Sequence, residues 1–355
     1  MAKTYKPLIG DDTVTTRTLL HEAIPITGTI SSGTYQNTPG TELNIKKFSH
    51  GMFESVYDYP YLSSSANHIF DLTFGVSSNM SSSTNTQNAK KLNIYNQMAQ
   101  VLFGYDVTGN VRNFEADGTI DGSGVMNHCF FLNHSRLLTK DEVKKGSYRL
   151  SLLTSGTVEG NGSGRSNLQV LGDYGSATEY RTCPAGDYAI IYTSSATPSV
   201  AGGVGLIFYQ AGIVALTSSV FLQEFGAPGN EITIGNIHQQ TQGIRWAQTA
   251  STIEQLADGF RHTIYDIDFN NTIELNSAIY FCRVNHNEFN YSSNPTYVSG
   301  SKIVVKNNVS DLPLTYITSV GLYSPDNELL AVAKLSEPIR KDPNTELTLR
   351  VRLDY

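Results

Sequence analysis

The chain has 355 residues and a formal net charge of −7, with 25 Lys and Arg against 32 Asp and Glu. It holds 35 Ser, 34 Thr and 27 Asn, with 20 Tyr and 30 Gly, while charged residues make up only 16%. That balance leaves no broad basic footprint for nucleic acid and, with 10% aromatics, it is not the composition of a disordered chain. It favours a β-rich structural or binding protein.

Three cysteines at wide spacing, Cys129, Cys183 and Cys282, outline no disulfide framework. The start, MAKTYKPLIGDD, has no apolar run of signal-peptide length. Folding in a reducing cytoplasm is therefore expected.

Residues 1–40 read as an extended arm. TVTTRTLLHEAIP is rich in β-branched residues and the chain breaks at Pro25, Gly28 and Gly33. Residues 41–300 read as the main β-rich domain, and 301–355 as a C-terminal hairpin plus a terminal strand. In the main domain Phe70, Leu72, Phe74 and Val76 alternate with Ile69, Asp71, Thr73 and Gly75, which predicts a strand with one strongly apolar face. The polar stretch SSNMSSSTNTQN after it predicts a loop. Leu92, Tyr95, Ala99 and Leu102, with Met98 beside them, recur at helical steps and predict a four-turn helix. Thr86 or Asn88 would cap it and Gly104 would end it.

Turn signals between Gly104 and Gly124 predict a hairpin, and VMNHCFFL a buried strand. Thr139 and Glu142 have capping-box spacing, with Gly146 as a stop, so a short helix is expected there. Tyr148, Leu150 and Leu152 resume a strand, and Thr157–Ser166 reads as a Gly- and Ser-rich loop. Tyr188–Gln223 contains no charge. Its centre, VGLIFYQAGIVALTSSVF, has the length of a membrane span, but its Gly, Gln and Ser residues favour a pair of strands buried on both faces. Ser251 with Glu254 predicts a second short helix through Leu256, and AIYFCRV another strand. TYITSVGLY and ELLAVAKL, joined through Ser-Pro-Asp-Asn, predict a hairpin, and the alternation of Leu347, Leu349, Val351 and Leu353 predicts a closing strand tied into a sheet. The expected fold is mainly β, an antiparallel sandwich of jelly-roll type, with one four-turn helix and one or two short ones.

The search for chemistry returns weak patterns only. No phosphate-loop, dinucleotide-binding, zinc-protease or nucleophile-elbow motif is present, and Gly160–Gly164 lacks the Lys and helix of a phosphate loop. His128, Cys129 and His134 cluster, and Cys282 lies near His286. Adjacent strand residues point to opposite faces, so Cys129 and Cys282 read as small core residues and the histidines as surface or hydrogen-bonded residues rather than zinc ligands. Asp266, Asp268 and Asn270 match the first ligands of a calcium loop. The later positions hold Asn271 and Ser277 where Gly and Glu belong, and a strand edge explains the pattern equally well. Paired carboxylates for glycoside cleavage are a spatial matter; Trp246 is the only Trp that could stack on a sugar. No catalytic, cofactor-binding or metal residue is assigned, and no enzyme activity is expected.

Four segments carry a resemblance: IYNQMAQVLFGYD, FFLNHSRLLTKDEVKKGSY, VGLIFYQAGIVALTSSVF and ITSVGLYSPDNELLAVAKLSEPI. They resemble virion structural proteins of large contractile-tailed bacteriophages, marine phages in particular, and the last is similar to the endings of tail and baseplate proteins. The resemblance runs from about Phe70 to Tyr355 and is one of style, without a catalytic motif. It implies a structural subunit of the tail or baseplate in a symmetric assembly, located in the virion. Its partners would be other virion proteins and itself, with no nucleic acid, no membrane and no cofactor. A capsid decoration or neck protein is the alternative within that class. A receptor- or glycan-binding tail protein is the alternative outside it.

Overall fold

The structure is a computed structural model and describes residues 5–25, 43–80, 85–153, 168–193, 202–221, 252–291, 298–299, 302–303, 310 and 313–355. Its strands, in chain order, are β1 (Thr13–Pro25), β2 (Ile45–Lys47), β3 (Glu54–Tyr57), β4 (His68–Val76), β5 (His128–His134), β6 (Glu142–Val143) and β7 (Arg149–Leu153). They continue with β8 (Leu168–Gly172), β9 (Arg181–Cys183), β10 (Gly186–Tyr192), β11 (Gly203–Phe208), β12 (Ile213–Thr217) and β13 (Ile264–Val284). The last are β14 (Val298–Ser299), β15 (Lys302–Ile303), β16 (Thr315–Tyr323), β17 (Leu329–Lys341) and β18 (Leu347–Asp354). The helices are α1 (Thr86–Leu102), α2 (Arg136–Thr139) and α3 (Ile253–Thr263). The fold is mainly antiparallel β with one long helix, as the alternation patterns indicate. The chain clusters into two compact units, Leu20–Ile273 and Met1–Leu19 with Glu274–Tyr355.

The larger unit, Leu20–Ile273, is built on an antiparallel sheet in the order β13-β7-β8-β10-β11-β12-β5-β4-β3-β2. In its β4–β5 ladder Phe74 stands opposite Phe130 and Gly75 opposite Cys129. The burial of β4 differs from the one-faced pattern expected, because helices cover both of its faces. On one side α1 closes over Gly75, and its Tyr95 faces Phe131 and Phe114. On the other, Phe260 of α3 stacks on Phe130 at 4.6 Å. A polar group cannot be left unpaired in such a layer. The Tyr95 hydroxyl donates to the Met126 carbonyl and accepts from the Phe114 amide, each at 3.0 Å.

The helix α1 starts one residue before the caps expected. Asn85 is extended and its side chain accepts from the Asn88 amide, which leaves Thr86 as the first helical residue. Gly104 at the far end takes φ +75°, a left-handed conformation that favours Gly. Phe103, between them, joins a ring cluster with Phe114, Tyr188 and Phe208. The helix α3 is longer than expected, and its capping box is Thr252 with Gln255. Ser251 lies outside the described residues, as do Gly28, Gly33, Thr157–Ser166 and Trp246.

Two further expectations are corrected. Thr139 does not cap a helix with Glu142. Thr139 closes the single turn of α2, and Glu142 lies in β6, opposite Thr272 of β13. The segment from Gly104 to Gly124 is not a laddered hairpin but two loops pinned by single bridges, Tyr105–Val111 and Glu115–Val125. Side chains take the amides that a ladder would use: Asp106 accepts from Thr108 and Asn110, and Glu115 accepts from Asp121 and Gly122. The uncharged centre forms β11 and β12, a hairpin buried on both faces and turned at Gly212 with φ +67°. Among the described residues no helix is long and apolar enough to cross a membrane.

The smaller unit, Met1–Leu19 with Glu274–Tyr355, has three pieces of sheet among its described residues, the shortest being the antiparallel pair β14 and β15. The later part of β13 pairs antiparallel with β18, from Ser277 opposite Asp354 to Val284 opposite Leu347. The Tyr355 amide donates to the Asn276 carbonyl at 2.8 Å, so the end of the described chain is tied into this ladder as expected. β16 and β17 form a separate two-stranded ribbon. A turn over Ser324–Glu328 joins them, with Asn327 at φ +64°.

Candidate interaction surface

The patterns weighed for chemistry fall apart on geometry. His128 and Cys129 occupy opposite faces of β5, as alternation requires. His128 and His134 share a face but lie six residues apart, roughly 20 Å along a strand. His134 is buried among Phe70, Tyr148 and Phe269, with Nε2 at 3.1 Å from the Tyr148 hydroxyl. Burial lowers both histidines to a pKa of about 4, aided at His128 by the charge of Lys91. Cys129 is buried, and burial pushes its thiol well up. In the smaller unit Cys282 sits within the β13–β18 ladder opposite Leu349, and the exposed His286 holds Glu346 at 3.2 Å. Among the described residues no group of three or more His, Cys, Asp or Glu side chains is arranged to hold a metal.

Asp266, Asp268 and Asn270 lie in the extended β13, not in a loop that could wrap a cation, and not at an edge. Asp266 stands opposite Ser151 and Asp268 opposite Arg149 of β7. Burial raises the Asp266 carboxyl, and the charge of Asp268 raises it further.

The residue that the sequence hides is Asp173. It is fully buried and takes five donors. Its Oδ1 accepts from the Tyr148 amide and an Arg149 Nη1, and its Oδ2 from the Gly146 amide, the Ser176 hydroxyl and the Tyr209 hydroxyl, at 2.7–3.1 Å. Burial still raises its pKa, against the pull of these bonds. Five donors around two oxygens leave no room for a substrate. Asp173 is a tie between β7, the turn after β8 and the turn after β11.

The described residues of both units expose apolar side chains, and the smaller unit exposes more of them for its length. The connected hydrophobic core from Ile45 to Phe269 lies wholly within the larger unit. Among the described residues of the smaller one, the buried hydrophobic residues are Ala278, Val284 and Val351. Against those three, it exposes Tyr5, Leu8, Ile9, Val14 and Leu19 near the start of the chain, and Tyr316, Tyr323, Leu329, Leu330 and Val332 on the ribbon. Tyr316, Leu329, Leu330 and Val332 each leave more than half of their surface exposed. Isolated exposed apolar residues are ordinary; a grouped set marks an interaction site.

Polar ties hold this unit in shape where a core does not. Lys341, buried at the base of the ribbon, donates through Nζ to Asn290 Oδ1 at 2.7 Å and to the carbonyls of His286 and Asp342. Thr315, also buried, stands opposite it. Arg283 Nε meets the buried Asp12 at 2.6 Å, and Lys6 pairs with Glu288. The Lys6 contact, with a hydrogen bond donated by the Asn285 backbone amide, holds the Glu288 carboxyl below its usual range. At the other end Ser277 and Arg352 do the same for Asp354. The Tyr5 ring meets the Tyr323 ring edge-on at 4.8 Å, next to the exposed tip of the ribbon. The sequence shows these apolar residues as strand alternation, but alternation does not say what covers the face. Compared with protein families, with curated proteins and with solved structures, this chain matches none.

Proposed function

We propose that the chain is a bacteriophage virion structural protein, a subunit of the tail or baseplate that makes protein–protein contacts in a symmetric assembly. One observation carries the assembly role: among its described residues the smaller unit buries three hydrophobic residues and exposes an apolar group along its ribbon and N-terminal segment. A β unit of this kind gains its missing burial from neighbours, at roughly 25 cal/mol per Å² of apolar surface covered. The larger unit has its own core of ring clusters and a buried carboxylate with five donors. The virion setting rests on the four segments quoted above. Other virion proteins and further copies of the chain are the proposed partners; no nucleic acid, membrane or cofactor has a part in the proposal.

Immunogold electron microscopy of purified particles, with an antibody to this chain, tests the reading. Label at the tail, densest toward its distal end, is expected. Label on the head or neck would move the protein to capsid decoration. No label, with the chain missing from particle mass spectra, would overturn the virion assignment.

A further inference from the structure

β16 and β17 pair only with each other among the described residues, so each has an outer edge whose backbone groups the ribbon does not use. The two edges are unlike. β17 carries Lys334, Glu337 and Arg340 and contains Pro338. Its ladder also slips. While β16 advances two residues, from Ile317 to Ser319, the paired positions on β17 move five, from Ile339 to Lys334, and a second slip passes over Leu330. Charge, proline and bulges are the devices by which an edge strand refuses another strand.

β16 has neither charge nor proline, although Thr318 falls at the first slip and is passed over by the ladder. TYITSVGLY is nine residues without a charge or a proline, and six of the nine are β-branched or aromatic. We infer that this edge is a homotypic docking edge, to which β16 of a second copy adds antiparallel across a two-fold axis. The axis passes within Thr318–Val320, near the middle of the strand. The occupant follows from charge. Set against itself, β16 opposes no charge with any other. The outer strands β17 and β18 of a second copy would instead bring Lys334 and Arg340, or Arg350 and Arg352, to an edge with no carboxylate to receive them. A two-fold axis makes the contact self-complementary and closed. It also turns a two-stranded ribbon, marginal alone, into a four-stranded sheet with main-chain hydrogen bonds at its centre. With the axis on Ser319, Tyr316 stands opposite the partner's Leu322. The inference deepens the assembly reading by naming one neighbour, a second copy of this chain.

Sedimentation of the full purified chain tests it. The expected mass is twice 38.9 kDa for the unaltered chain and 38.9 kDa for Thr318→Lys, which brings like charges together at the axis. Glu337→Lys, on the other edge, is expected to leave the dimer intact. Because a lysine in β16 could disturb the ribbon, single cysteines at Thr318, Ser319 and Val320 give a second readout. One of the three is expected to form a disulfide between equal positions of two copies, located by mass spectrometry of the linked peptide. A monomeric unaltered chain, or a dimer that persists in Thr318→Lys and forms none of these disulfides, would overturn the inference. Particle labelling separates the two readings. Labelled particles with a monomeric chain would overturn this inference alone, and a β16-linked dimer absent from particles would overturn the virion reading alone.

Discussion

Gly75 lies directly beneath Tyr95. A Cβ built on Gly75 would stand 2.9 Å from the Tyr95 backbone nitrogen and 3.0 Å from its Cα and Cβ. Backbone, not a flexible side chain, blocks the space, so the helix α1 rests on β4 at a distance only glycine permits. Gly75→Ala must push α1 off the sheet. Overpacking of that kind costs about 1–3 kcal/mol. A lower denaturation midpoint at unchanged slope is the expected outcome; an unchanged midpoint would mean that α1 is not seated there.

His134 makes the larger unit acid-sensitive in a predictable window. Its pKa is lowered from 6.5 to about 4 because burial penalises the imidazolium. The unfolded chain therefore binds the proton first. The stability this residue contributes is complete above 6.5, declines as pH falls through the interval, and stops declining below about 4. The loss reaches roughly 3 kcal/mol, because each tenfold difference in proton affinity between the folded and unfolded chain is worth about 1.4 kcal/mol. His128 follows the same sign over the same interval. Urea titrations at stepped pH should show the decline. In His134→Gln the slope between 6.5 and 4 should become shallower, and an unchanged slope would remove His134 from the account.

Asp173 cannot be replaced by its own amide. Oδ1 faces the Tyr148 amide and Oδ2 the Gly146 amide, and neither donor can reverse. Whichever way an Asn is turned, its NH2 meets a backbone N–H. Asp173→Asn should thus cost on the order of 2–3 kcal/mol, the penalty for buried polar groups left unmatched. Hydrogen exchange at Gly146 and Tyr148 should accelerate with it. A variant as stable as the parent would show that the carboxylate is not ionised as five donors require.

Local patterns were readable where one short segment decides the outcome. Period two in β4 and β18 and helical steps in α1 all yield the elements seen. Local rules misread places where a distant segment decides. Glu142 has the spacing of a capping residue, yet it pairs with Thr272, 130 positions on, as part of β6. The composition divides the chain near 40 and 300. The compact units instead join Met1–Leu19 to Glu274–Tyr355, through pairs such as Arg283 with Asp12 that no spacing encodes. Asp173 is invisible for the same reason, since its donors come from Gly146–Arg149, Ser176 and Tyr209. The apolar surface escapes for a different reason. Leu329 and Leu330 have the composition of core residues, and only the structure leaves them uncovered.

Those two leucines separate stability from assembly. Leu330 exposes 68% of its surface and Leu329 53%, so neither gives the fold much burial to lose. Replacement at such positions changes stability by no more than about 0.5 kcal/mol. At the centre of an interface the same residues would be covered, and a charge there would be buried without a partner. Leu329→Ser with Leu330→Asp should therefore melt with the parent chain yet fail to enter particles when it competes with the parent during infection. The leucines lie on β17 at the tip end of the ribbon, away from the middle of β16, so this defect should appear even where the purified variant still sediments as a dimer. Equal incorporation of variant and parent would show that the ribbon tip faces solvent in the assembled state, and would move the contact surface to Tyr5, Leu8 and Ile9.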